Sequence, residues 1–208
     1  INEGKSREAV TCMRRSLEFR QKLYPASKYP DGQLSLAVAF NNLGFALANV
    51  GDNEGALRQF QLGLAMQRRL FPISRYKSGH DSIAMCLDNM GRLMKDMGAF
   101  HEAQLLSQES LDMRRRIFPA SEFPSGCSAL VESLGNLAVL LTVTGDYERA
   151  LAYHEEAHAM CLKLYSPARH PLGHAYLATS LNNLGGLYWE MGVFERALPY
   201  YEQALAMY

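Results

Sequence analysis

The sequence predicts an all-α protein built from repeated helix pairs. Similar residues recur every 47 positions, as from Gly4 to Gly51, and an alanine follows each of these glycines five residues later. No window alternates apolar and polar residues as a half-buried strand does. Three further columns keep the same spacing, the third of them headed by Phe19: Gly32, Gly79, Gly126 and Gly173; Asn42, Asn89, Asn136 and Asn183; Met66, Met113, Met160 and Met207. The chain therefore holds a little over four copies of one unit.

Each copy contains two amphipathic helices. Phe40, Leu43 and Leu47 recur at i, i+3 and i+7, and a second apolar stripe at helical spacing follows Gly51. These stripes predict a first helix of each copy, helix A, over 36–50, 83–97, 130–144 and 177–191. They predict a second, helix B, over 6–24, 53–71, 100–118 and 147–165 and from about 194 onward.

The connections follow from turn chemistry. Gly51-Asp52-Asn53 is typical of a tight turn, because glycine readily adopts the left-handed conformation at the end of a helix. Helix B is expected to end near Phe71-Pro72, since proline disfavours α geometry in the residue before it. The stretch from Pro72 to His80 is then an ordered loop that leads into the next copy.

Charge and cysteine content bear on the class of partner and on the cellular compartment. Lys+Arg and Asp+Glu both number 21, so no global charge favours a nucleic-acid or membrane partner. No apolar stretch is long enough to span a membrane, and no signal peptide opens the chain. The four cysteines form no CxxC pair, which favours free thiols in a reducing compartment. We therefore expect a cytoplasmic protein.

The residues of one copy resemble the tetratricopeptide repeat. The pattern F-x-x-L-G-x-x-L over 40–47, A-x-x-x-F over 56–60 and then Pro72 matches that motif, and L-x-x-L-G-x-x-Y over 181–188 matches it better. The long period and the phrase LNNLG at 181–185 are similar to the kinesin-light-chain-like branch of the family. The resemblance implies a right-handed superhelical solenoid of stacked antiparallel helix pairs.

The same resemblance implies one array over residues 1–208. It begins with a partial repeat, 1–33, which has helix B only. Three full repeats follow, over 34–80, 81–127 and 128–174, and the final repeat, 175–208, is truncated in helix B. Arrays of this kind normally carry polar capping helices, so we expect a fragment of a longer protein. The sequence departs from the motif at Ala138, which replaces the helix-A glycine, and at Ser107 and His154, which replace the helix-B aromatic.

The histidines are the first candidates for a metal-binding or catalytic site. His154 and His158 lie at i, i+4, as do His170 and His174, and such pairs can share a metal ion. His154 and His158, however, occupy columns that are otherwise apolar, which favours core histidines and no metal. The chain contains no P-loop, nucleophile elbow, HExxH or dinucleotide-binding glycine pattern. We therefore expect no cofactor and no enzymatic activity.

Two polar columns allow two interpretations each. The arginines late in helix B could be solvated residues that the helix dipole favours at a C-terminal end, or they could form a surface for an acidic peptide or a nucleic-acid backbone: Arg14, Arg15, Arg68, Arg69, Arg114, Arg115 and Arg116. The asparagine column could bind a ligand's backbone, but its place beside the apolar stripe favours a bond between helices.

The resemblance places the ligand on the face of helix A opposite its packing stripe. That face predicts a peptide-binding groove formed by Asn41, Phe45, Asn49, Asp88, Arg92, Lys95, Asp96, Val139, Asn182, Trp189 and Glu190. A mixed groove with aromatic residues suits an extended peptide with a hydrophobic anchor. The predicted function is a protein- or peptide-binding scaffold. The alternatives are a regulatory or sensor arm of a larger effector or protease, and an array that self-associates through uncapped ends. The second alternative predicts poorly covered side chains at Val10, Met13, Leu17 and Phe19.

Overall fold

The computed structural model describes residues 3–166, 168–170 and 173–207. Ile1, Asn2 and Tyr208, which belong to the predicted terminal repeats, lie outside them. The described residues form nine helices and no strand: α1 (Glu3–Leu23), α2 (Leu34–Asn49), α3 (Asn53–Leu70), α4 (Asp81–Asp96), α5 (Phe100–Ile117), α6 (Ser128–Val143), α7 (Tyr147–Leu164), α8 (Ala175–Glu190) and α9 (Phe194–Leu205).

The helices follow the predicted 47-residue register. Helices α2, α4, α6 and α8 are the predicted helices A, and the other five are the predicted helices B. Each helix A begins two residues earlier than predicted, and in α2, α4 and α8 the side chain of the preceding residue caps the first turn. Gln33, for example, accepts a hydrogen bond from the amide of Leu34, and His80 accepts one from the amide of Ser82. The all-α prediction and its register are confirmed.

Contacts divide the chain into two compact units, residues 1–113 (unit 1) and 114–208 (unit 2), with the boundary in the last turn of α5. In unit 1, α2 packs against α1, α3 and α4. In unit 2, α8 packs against α6, α7 and α9. Helices α2 and α8 are therefore each covered on several sides, which leaves only a narrow strip of each helix exposed.

Helices A and B of one pair approach closely at a glycine. A Cβ on Gly44 would lie 2.8 Å from the ring of Phe60, and one on Gly185 would lie 3.0 Å from the ring of Tyr201. The departures from the motif fit this contact. Where His154 replaces the aromatic residue, Ala138 stands at the glycine position, and both side chains are buried.

The turn between helix A and helix B is closed by a glycine and an aspartate. Gly51 has φ 83°, the left-handed conformation that the sequence predicts. The Asp52 side chain accepts a hydrogen bond from the amide of Gly55 at 2.9 Å, which caps α3. Asp146 caps α7 in the same way, through the amide of Arg149.

The loop between helix B and the next helix A is ordered by ring stacking. His80 stacks on Phe71 with ring centroids 3.5 Å apart and planes at 5°. His174 stacks on Tyr165 at 3.7 Å and 5°, and it accepts a hydrogen bond from the amide of Tyr176. His174 therefore caps α8, a role that the sequence analysis did not identify.

Candidate functional site

The open face of unit 1 lies along α2. The Phe45 side chain is 40% exposed, and Asn42 and Asn49 are also exposed. Beside them, between α1 and α2, lies a cavity of about 510 Å³. Lys5 also lines this cavity, and Met13 contributes an apolar wall. The cavity thus combines an apolar interior with two side-chain amides and one ammonium group.

The Arg92 side chain is held against Phe45. Its guanidinium carbon lies 4.8 Å from the centre of the Phe45 ring, within the range of a cation–π contact. Arg92 Nη2 donates to Asn89 Oδ1 at 3.3 Å, and Asn89 Nδ2 donates to Asn41 Oδ1 at the same distance. This chain of contacts joins the exposed ring to a buried amide, so Phe45 and Arg92 are oriented before any ligand arrives.

Two of the predicted groove residues of unit 1 lie in the interior. The exposed fraction is only 3% for Asn41 and 6% for Asp88. Both occupy the side of their helix that turns toward a neighbouring helix, and Asn41 meets Asn89 of α4 there. Phe45, Asn49, Arg92 and Asp96 lie on the open surface, where Asp96 pairs with the half-buried Lys95 at 3.3 Å.

The asparagine column divides between its two interpretations. Asn89 forms the bond between helices that the sequence analysis favoured. Asn42, one residue from Asn41, instead faces the cavity. The sequence-based groove did not include Asn42. Asn42 could have been identified from the 100° rotation between neighbouring helical residues, which places residues 41 and 42 on different faces of the helix.

The open face of unit 2 carries an exposed tryptophan. Trp189 is 57% exposed and makes an edge-on contact with Phe194 at 4.7 Å between ring centres. Asn182 and Glu190 are exposed on the same helix, and Val139 of α6 is half-buried. A large aromatic surface is therefore available in this unit as well.

Three of the helix-B arginines make ion pairs or hydrogen bonds within their units. Arg68 pairs with Glu109 at 3.0 Å, and Arg115 pairs with Glu156 at 2.7 Å. Arg114 is 2% exposed and donates to the carbonyl of Ala129 and the hydroxyl of Ser133. Arg114 is thus a core residue, contrary to the expectation of a solvated helix end.

Burial disfavours the charged forms of two histidines and one cysteine in the core. Burial lowers the pKa of His154 to about 4, and burial also lowers the pKa of His158, whose Nδ1 lies 2.9 Å from Ser180 Oγ. Burial raises the pKa of Cys86 to about 12, so this thiol stays protonated. All four cysteines are free. No three His, Cys, Asp or Glu side chains among the described residues are grouped to hold a metal ion.

Family comparisons agree with this architecture. Models of the tetratricopeptide repeat match residues 36–75 and 83–124, and another tetratricopeptide repeat model matches residues 129–208. The matched segments together span well over half of the chain. The chain belongs to the tetratricopeptide repeat family, whose members are in general protein-interaction scaffolds.

Solved structures show the same fold. The chain is similar to BtubC (BKLC) from P. vanneervenii, with 22% identity and a TM-score of 0.73 over 99% of this chain and 74% of that one. It is also similar to the nearly identical TPR-like repeats of a Podosopora anserina protein described as a putative kinesin light chain. There the identity is 19% and the TM-score 0.72, over 98% of this chain and 87% of that one. MamA of AMB-1 is more distant, with 14% identity and a TM-score of 0.53 over 100% of this chain and 98% of that one.

These likenesses show an all-α tetratricopeptide solenoid, the fold that the sequence predicts. Comparison with the curated proteins found no match. Among the helices of the described residues, none combines the length and apolar character that crossing a membrane requires.

Proposed function

We propose that the chain is a scaffold that binds an extended peptide segment of a partner protein on its open helix-A faces. Phe45 and Arg92 form the centre of the site in unit 1, and Trp189 forms the centre of the site in unit 2. The family membership supports a protein-interaction role in general. The arrangement around Phe45 supports this particular surface.

The observation that carries the proposal is the cavity beside Phe45. Its volume of about 510 Å³ lies within the usual range for ligand pockets, and its apolar wall is exposed to solvent in the free chain. Arg92 already rests on the Phe45 ring, so little side-chain entropy remains to be lost on binding. A preformed aromatic and arginine pair is the composition typical of interface hot spots.

The chemistry of the cavity defines the ligand. An apolar side chain of the peptide would pack on Phe45 and Met13, where its surface is removed from contact with water. The amides of Asn42 and Asn49 can each donate and accept, which suits the backbone of an extended peptide. Lys5 adds one positive charge at the rim. The expected ligand is a peptide with one hydrophobic anchor and an otherwise polar contact surface.

A selection experiment tests this proposal. A displayed library of random 12-residue peptides is panned on the wild-type chain, and the enriched peptides are then measured against Phe45→Ala and Arg92→Ala. We expect each change to weaken binding by about 1–3 kcal/mol, the usual size of a hot-spot truncation. Arg68→Ala on helix B, which removes only an exposed ion pair, is the matched control and should leave the affinity unchanged. Enriched peptides whose affinity is the same for the wild-type chain and for both variants, Phe45→Ala and Arg92→Ala, would contradict the proposal.

Exposed apolar side chains favour self-association as a second candidate function. Phe19 on α1 is 67% exposed, and Leu198 and Leu205 on α9 are 58% and 75% exposed. Val10 and Met13 are partly covered. Leu17 is buried, contrary to expectation, because α1 packs against α2. Apolar surface of this kind promotes association. Light scattering over a hundredfold concentration range tests the idea, and a constant monomer mass would exclude it.

A further inference from the structure

A second cavity lies on unit 2, and none of its lining residues belongs to the groove predicted from the sequence. Its volume is about 520 Å³, and it lies between α7 and the loop that joins α5 to α6. The loop contributes Phe118 and Phe123, and α7 contributes Met160 and Lys163. The function proposed above does not use this surface.

The walls of the cavity are apolar and held in place. Phe118 and Phe123 meet edge to face at 5.2 Å, with ring planes at 90°. The loop is closed by hydrogen bonds from the amide of Phe123 to the carbonyl of Pro119 at 2.9 Å and from the amide of Gly126 to the carbonyl of Phe123 at 2.8 Å. Because the loop is already ordered, a ligand would lose little affinity in shaping it.

The rim of the cavity is positively charged. Only three of its lining residues carry a formal charge, namely Arg115, Glu156 and Lys163. Arg115 and Glu156 neutralise each other through two contacts, at 2.7 and 3.0 Å. The exposed ammonium of Lys163 makes no ion pair with any other residue in the described part of the chain, so the rim has a net positive charge.

We propose that this cavity is a second docking site, which binds a partner segment carrying an aromatic side chain within two residues of a carboxylate. The aromatic ring packs against Met160 and Phe123, since thioether and ring contacts are favourable beyond simple burial. The carboxylate lies at Lys163, where it meets the unbalanced charge of the rim. One cation is too few for a nucleic-acid backbone, which requires several phosphate contacts.

The test uses the full chain labelled with 13C at its methionine methyl groups. The probe is the capped tripeptide acetyl-Phe-Gly-Glu-amide, compared with acetyl-Phe-Gly-Gln-amide, which has the same shape without the charge. Met160, identified through Met160→Leu, reports occupancy of the cavity. Met90, a buried methionine of α4 in unit 1, serves as the internal control. We expect the Met160 signal to shift saturably with the Glu peptide, and to do so about two- to fivefold more weakly with the Gln peptide.

Variants separate charge from shape. Lys163→Gln should lower the affinity for the Glu peptide to that of the Gln peptide, and Phe123→Ala should remove the Met160 shift. Arg69→Gln, an exposed cation at the corresponding position of unit 1, should change neither result. Phe45→Ala should also leave the Met160 response intact, so the two docking proposals fail independently. A Met160 signal that does not move, or one that moves equally with both peptides, would overturn the proposal.

Discussion

The side chain of Met66 lies directly against the backbone of Gly32. A Cβ at residue 32 would be 2.5 Å from Met66 Cγ, and Gly32 has φ 92°. The same relationship recurs between Gly79 and Met113, Gly126 and Met160, and Gly173 and Met207. The glycine column that contains Gly32 and the methionine column that contains Met66 therefore form one recurring contact. This contact holds the loop that leads into helix A against helix B of the same copy.

The Gly32 contact predicts a difference between two glycine substitutions. Gly51 also has a positive φ, 83°, but a Cβ there would meet nothing within 4 Å. Gly51→Ala should cost about 1–2 kcal/mol of unfolding free energy through backbone strain alone. Gly32→Ala should cost about 1–3 kcal/mol more, because it also overpacks Met66. Urea denaturation of the two variants measures this, and equal losses would show that the methionine contact is unimportant.

Close packing of helices A and B predicts that two alanines cannot be enlarged. Ala103 and Ala150 are fully buried. Replacing either by leucine should lower the free energy of unfolding by about 1–3 kcal/mol, because the added carbon atoms have no space. Ala152→Leu, at an exposed position two residues from Ala150, is the control and should cost little. Melting temperatures that do not distinguish Ala150→Leu from Ala152→Leu would mean that the helix pair is assigned wrongly.

Burial of His154 predicts a loss of stability in acid. Its folded-state pKa is about 4, below the usual value of 6.5, so the unfolded chain binds a proton first as the pH falls. The stability associated with neutral His154 is complete above pH 6.5 and is lost as the pH falls to about 4. The loss should be on the order of 3 kcal/mol.

The substitution His154→Ser removes the titrating group without placing an aromatic ring against Ala138, and serine is chosen because Ser107 occupies the corresponding position in α5. The measurement is the slope of unfolding free energy against pH between 6.5 and 4, and the absolute stability of the variant does not enter. We expect a shallower slope for the variant, with other groups contributing equally to both proteins. Parallel slopes would show that His154 is protonated without cost in the folded state.

Two helix-B arginines, Arg68 of α3 and Arg114 of α5, should differ in importance. Arg68→Ala removes an ion pair that is about half exposed on both sides and should cost under about 1 kcal/mol. Arg114→Ala removes a buried guanidinium that donates to the carbonyl of Ala129 and to the hydroxyl of Ser133, so it should cost about 2–4 kcal/mol. Chemical denaturation compares them. If the two costs were similar, Arg114 could not hold the structural role that its burial indicates.

The repeat architecture was predictable because packing imposes a periodic pattern on the sequence. Apolar stripes and turn glycines repeat with each helix pair, so the nine helices of the described residues lie within a few residues of their predicted bounds. The starts of helix A were less predictable. They depend on caps by side chains such as Gln33 and His80, whose geometry no periodicity reveals.

The groove was only partly predictable because helix A has neighbours on several sides. The apolar stripe identifies one packed face but does not show that residue 41 is covered by α4 while residue 42 borders a cavity. The pairing of Phe45 with Arg92 joins residues 47 positions apart, and only the packing of α2 on α4 brings them together. Exposure of Phe45 and Trp189, by contrast, agrees with their place opposite the stripe.

Binding of one selected peptide to the wild-type chain and to Phe45→Ala, followed by isothermal titration calorimetry, decides whether the α2 face is the docking surface. Truncation of Phe45 removes the ring on which both Arg92 and the peptide's anchor pack, so the dissociation constant should rise by about 5- to 150-fold. Arg68→Ala on helix B should leave it within about twofold. An unchanged affinity in Phe45→Ala, together with a loss in Arg68→Ala, would place the ligand on helix B and contradict a helix-A groove.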